Sequence, residues 1–196
     1  MGYKRRGSEL HDVFDDYRSW YAQSESPKRD DRNRTDPLAS LAPLSAREYR
    51  QLEEMHGALP ASYRELVCNV GVGPVLIGGR GEPAEFTILP PKHILCCRRD
   101  CLSWIDEDLL AAAKTRQGID SERLMPFLVD RDWNQWALLA NQRKRDDRAL
   151  LFSHEQEQPA DGDLFKQLGT VTEYFRALFD QAKKGSSPWY LWSGWK

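Results

Sequence analysis

No stretch of this 196-residue chain stays apolar for more than a few residues. Its apolar runs, such as Leu109 to Ala113 and Ala149 to Phe152, fall far short of the ~20 residues a membrane-crossing helix requires. The opening segment, MGYKRRGSELHDVFDDYRSW, starts basic but lacks the apolar core of a secretory signal, so the expected compartment is the cytoplasm. Cysteine is scarce. Of the four, Cys96, Cys97 and Cys101 crowd into CCRRDC, too few and too clustered for a disulfide framework. An excess of basic charge is also missing: the net charge is −2, and residues 44 to 182 carry 17 Lys/Arg against 22 Asp/Glu. Nucleic-acid binding draws affinity from clustered Lys/Arg that release counterions, so a mildly acidic body argues against DNA or RNA as a direct partner. What is present, a 40% apolar share in a chain of ordinary domain length, suffices for a buried core.

A phosphate-binding loop is the next absence. LPASYRELVCNVGVGPVLIGGRG, from Leu59 to Gly81, contains five glycines. Phosphate loops run strand, glycines, helix, because the helix N-terminus supplies free N–H groups and the positive dipole end. Here Gly71 and Gly73 follow a helical pattern and precede the strand-like PVLI, and no Gly-Lys-Ser/Thr occurs. Gly71 reads as a helix stop leading into a strand.

The remaining pattern is of helices around a block of strands. Leu10, Val13, Phe14, Tyr17, Trp20 and Tyr21 recur at helical spacing over residues 8 to 22. A charged segment without apolar residues follows, from Ser24 to Asp36. Ser45 with Glu48 forms a capping box, and Leu44 is placed to pack on Tyr49, so a helix is expected from Ala46 to a stop at Gly57. Pro60 opens a second helix with Tyr63, Leu66, Val67 and Val70 as its stripe. Short strands are expected at 85–90, 124–130, 135–140 and 149–155, the last three as an antiparallel meander, with one helix over 104–116. Thr170 and Glu173 cap a last helix built on Tyr174, Phe175, Leu178 and Phe179. The fold class is α+β, a mainly antiparallel sheet covered on one face by helices.

Two kinds of chemistry can be weighed from the residues alone. His93, Cys96, Cys97 and Cys101 lie close in sequence, but adjacent cysteines do not easily both face one tetrahedral ion, and no second ligand pair follows. Buried or idle thiols are the expectation, with no metal and no cofactor. The four histidines sit in unrelated contexts with no nucleophile elbow, so no catalytic residue is assigned.

The order of elements resembles the SMI1/KNR4 family, or SUKH superfamily, over about residues 44 to 182. The residues that carry the resemblance are LSAREYRQLEEMHGALPASYRELVCNVGVGP, then LMPFLVDRDWNQWALL, LLFSHE and TVTEYFRALF. The family's Asn-Gly-Gly turn is replaced here by NVGVGP, and an N-terminal helix and an aromatic tail are added. The resemblance implies three parts: residues 1–43 as a helix and linker, 44–182 as the family domain, and 183–196 as a tail. It makes Leu59, Pro60, Tyr63 and Gly73 framework positions. It also implies a non-enzymatic immunity protein that neutralises a cognate toxin, a nuclease above all, deployed between neighbouring bacteria and acting in the cytoplasm. The alternative is a regulatory or scaffold module with no toxin partner. A monomer or weak dimer is expected, with no membrane partner.

Against a basic toxin, the acidic pairs Asp130/Asp132, Glu155/Glu157 and Asp161/Asp163 become candidate contacts, although each also suits a solvated turn. Trp133 and Trp192 are candidate anchors, since Trp dominates binding hot spots. Of Trp133 and Trp136, one is expected in the core and the other on the surface.

Overall fold

The computed structural model of the protein describes residues 9–24, 36–78, 84–141, 146–153 and 163–185. It is α+β, with one six-stranded antiparallel sheet in the order β1 to β6: β1 (Gly73–Ile77), β2 (Ala84–Ile88), β3 (Met125–Asp130), β4 (Gln135–Leu139), β5 (Arg148–Ser153) and β6 (Lys166–Thr170). The helices are α1 (Glu9–Gln23), α2 (Ala46–His56), α3 (Ala61–Glu65), α4 (Pro91–Ser103), α5 (Glu107–Gln117) and α6 (Val171–Lys183). Among the described residues, no helix is long and apolar enough to cross a membrane.

The helix starts follow from local chemistry. At α2 and at α6 the N-cap hydroxyl, Ser45 or Thr170, accepts from the N3 backbone N–H, and the N3 glutamate accepts in return from the cap's N–H. Leu44 and Tyr49, on either side of the first cap, are both buried. The second expected helix is shorter than its stripe suggests. It is α-helical only to Glu65 and then widens into a π-helix over Leu66–Val70, closed by a bond from the Gly71 N–H to Leu66 O at 2.8 Å. Val70, the last residue of the stripe, is only half buried.

Gly71 and Gly73 do more than stop that helix. Residues 40–42 run alongside them, bridging Ala42 to Val72. A Cβ on Gly71 would lie 2.8 Å from Ala42 N, and one on Gly73 would lie 2.7 Å from Ser40 O. Both glycines also have φ above +120°. The same segment ties Pro37 O to the Leu76 N–H at 3.1 Å and buries Leu38. Residues 37–42 are thus tied to β1 and to the residues before it.

The N-terminal helix also belongs to the body. Phe14 packs on Phe175 and Phe179, and Tyr17 stacks on Phe179. With α6 over the sheet through Tyr174, Phe175 and Phe127, this layer is the expected helical cover of one face. A second layer was not foreseen. Every residue of β3 and β4 is buried, so both faces of the central strands are covered. On the face opposite α6, Trp136 lies by the Cys97 thiol of α4, and the Gln117 amide at the end of α5 exchanges hydrogen bonds with the Phe165 backbone.

The helix expected at 104–116 is α5, which starts after extended Asp106. Helix α4, which starts after Pro90 and has Trp104 as its C-cap, was not expected. The polar edge strand β6 was also missed, since Leu168 is its one buried residue.

Candidate protein-docking face

One end of the sheet gathers the end of β1, the start of β2, the β3–β4 hairpin and the end of β5. The pairings fix this: Phe86 faces Asp130, Gln135 faces Ser153, and the Arg131 N–H donates to Glu85 O at 3.0 Å. The β3–β4 hairpin turns over residues 131–134. Asp132 and Trp133 are exposed, Trp133 to 39% of its surface. Trp133 has φ +59°, a left-handed backbone uncommon for a bulky side chain.

Asp130 does not belong to the exposed acidic face expected from the sequence. Its side chain is 2% exposed, and Oδ1 accepts from the Asn134 N–H at 2.8 Å and the Gln135 N–H at 3.0 Å. Both faces of β3 are covered, so Asp130 is enclosed on the face that carries Leu128, where its carboxylate accepts from the hairpin backbone and is not available to a partner. Burial raises its pKa, and the two backbone N–H donors pull the other way. The expected pair is thus split, with Asp130 inside and Asp132 outside. Exposed Arg131 sits between them and dilutes the acidic character of the tip.

Asp163 is exposed, just before β6. Glu155, Glu157, Asp161 and Trp192 lie outside the described residues. Trp133 and Trp136 divide as expected, with Trp136 fully buried against Phe152 at 5.7 Å between ring centroids. Of the framework positions, Leu59, Pro60 and Tyr63 are buried around the start of α3, and Gly73 makes the close approach to residue 40.

Elsewhere, an open groove of about 440 Å³ separates α2 from α3 and the π-helix. Arg64 lies over the Tyr49 ring, 5.3 Å from its centroid. Burial, and then Glu53, push the Tyr49 hydroxyl up to about 12. Burial also raises the Cys68 thiol in the same groove. On α4, Cys97 and Cys101 point into the core, and burial pushes Cys97 up to about 12 and Cys101 well above the ordinary range. Such groups are protonated at neutral pH and poor nucleophiles. The Cys96 thiol donates to its own helix at His93 O, 3.1 Å away. Among the described residues, no group of three or more His, Cys, Asp or Glu is placed to hold a metal.

Compared with protein-family models, curated proteins and solved structures, the chain matches none. A functional reading rests on the residues and their geometry.

Proposed function

We propose that this protein is a non-enzymatic immunity protein of the SMI1/KNR4 type. It neutralises a cognate toxin acting in the cytoplasm, a nuclease above all, by covering its active or substrate-binding surface. The observation that carries this reading is Trp133: a large apolar side chain, exposed at a hairpin tip and set on a left-handed backbone. Holding a residue there costs roughly 1–3 kcal/mol, and such strain gathers where a side chain must be presented in one orientation. Tryptophan is the side chain that most often anchors a protein interface. Asp132 beside it adds negative charge, which speeds encounter with a basic partner.

The magnitudes are compatible with this task. Neutralising a few toxin molecules needs nanomolar binding, about −12 kcal/mol. A contact of ~800 Å² on each partner reaches that affinity when its anchors are well packed.

The scaffold alternative would use α1 as a docking arm, and α1 instead buries Leu10, Phe14 and Tyr17 in the body. The test is co-expression with the product of the gene adjacent to its own. Rescue of growth together with a purified one-to-one complex supports the immunity reading, and neither rescue nor complex refutes it.

A further inference from the structure

Beneath the hairpin that carries Trp133, three buried oxygens without hydrogen-bond partners share a face of the sheet with a buried carboxylate. Asp130, 2% exposed, makes no ion pair with any described residue, and the donors it accepts from among them are backbone N–H groups. Gln135 and Ser153 face each other across β4 and β5 and are 8% and 7% exposed. Pleating puts both on the face that carries Asp130, because Leu128 pairs with Ala137 and each residue lies two positions along its strand from that pair. Tyr174, fully buried, descends onto this face from α6 with its ring edge-on to Phe127 at 5.7 Å, and its hydroxyl feels the Asp130 charge. Gln135 Oε1, Ser153 Oγ and Tyr174 OH are each buried without a hydrogen-bond partner.

Three oxygens without hydrogen-bond partners share a face with a buried carboxylate that has no counter-charge among the described residues, and together they form a consistent set. Buried charges in proteins are paired or coordinate metals, and buried polar groups are bonded. We propose that Asp130, Gln135, Ser153 and Tyr174 bind a hard divalent cation of the Ca²⁺ class.

The donors fit that class. A carboxylate, an amide oxygen and hydroxyls are oxygen ligands, with no thiolate or imidazole to favour zinc or copper. Ca²⁺ accepts such a mixed, flexible set, whereas Mg²⁺ demands near-ideal octahedral geometry and keeps its waters. A single carboxylate places affinity at the weak end, on the order of 10⁻⁴–10⁻³ M. A water molecule could bond the same four groups but would leave the carboxylate's charge uncompensated. The cation would tie α6 to the base of the hairpin, and its binding is independent of whether the partner is a toxin.

The experiment uses the full chain, freed of metal with a chelator and exchanged into choline chloride. Thermal unfolding is then compared in about 10 mM CaCl₂, MgCl₂ or NaCl at matched ionic strength. At tenfold excess over Kd, CaCl₂ is expected to raise Tm by about 3–6 °C over choline chloride, with a smaller rise in MgCl₂. The rise should vanish in Asp130→Asn and shrink in Tyr174→Phe, which removes one hydroxyl and keeps the ring. Terbium luminescence excited through the aromatic rings, displaced by CaCl₂ and weakened in Tyr174→Phe, would report the site directly without relying on stability. Equal Tm in CaCl₂ and choline chloride would overturn the proposal in favour of water. A response to NaCl alone, or a Ca²⁺ response unchanged in both variants, would also overturn it.

Discussion

The ring of Tyr17 lies flat on that of Phe179, with 4.1 Å between centroids and 9° between planes. The first described helix and the last are therefore one packed unit. Tyr17 also reaches the sheet: its hydroxyl donates to Leu76 O at 3.2 Å and accepts from the Gly78 N–H at 2.9 Å. Tyr17→Phe should cost about 1–3 kcal/mol by leaving the Gly78 donor unpaired. Tyr17→Ala should cost about 3–5 kcal/mol by opening a cavity. Urea unfolding measures both, and a detachable N-terminal arm would show neither loss.

The two capping boxes make a second prediction. Ser45→Ala and Thr170→Ala should each lower stability by about 0.5–2 kcal/mol. The two sites share no partner, so the losses should add in the double variant. Hydrogen bonds from Ser45 hold Glu48 below its usual range, and those from Thr170 do the same for Glu173. A lowered carboxylate contributes stability above its unfolded value near 4.5 and loses it as pH falls through the folded value. Each cap-to-alanine deficit should therefore shrink as the medium is acidified below that point.

Asp130 has the opposite sign. Burial raises its pKa above the ordinary 3.8, so the folded state takes up a proton before the unfolded state does. In metal-free buffer, the stability of the parent protein relative to Asp130→Asn should rise as pH falls from neutral through the raised value, and level off below 3.8. Urea titrations of both proteins across that window measure the difference. A flat difference would mean that the carboxylate is solvated in the folded state.

Glycine positions that look alike in sequence should differ in cost. Gly71→Ala pushes a Cβ to within 2.8 Å of the Ala42 backbone at φ +126°, so it should cost about 2–5 kcal/mol from strain and overpacking together. Gly118 has φ +66° with open space around it, so Gly118→Ala should cost only the backbone strain, about 1–2 kcal/mol. Thermal unfolding of the two variants side by side checks the ranking.

The sequence was legible where local chemistry decides structure. Both capping boxes, the meander and the split between Trp133 and Trp136 follow from spacing and alternation. Helix α4 was hidden by its own cysteines. Weighed as candidate metal ligands, Cys97 and Cys101 were not counted with Ile94 as the apolar stripe that they form. The role of residues 40–42 against Gly71 and Gly73 is a long-range contact with no local signal. At the candidate docking face, exposed Trp133 was foreseen and buried Asp130 was not. Alternation alone gave no warning of it, because both faces of β3 and β4 are covered.

The account rests on recognition through the hairpin tip, and one titration tests that directly. Calorimetry of the adjacent gene's product, the proposed toxin, against the parent protein and Trp133→Ala is expected to give nanomolar binding for the parent. The variant should lose at least about 30-fold, matching a hot-spot cost of about 2 kcal/mol or more, with its unfolding midpoint unchanged. Equal affinity for the two proteins would contradict the account, as would binding lost only together with the fold.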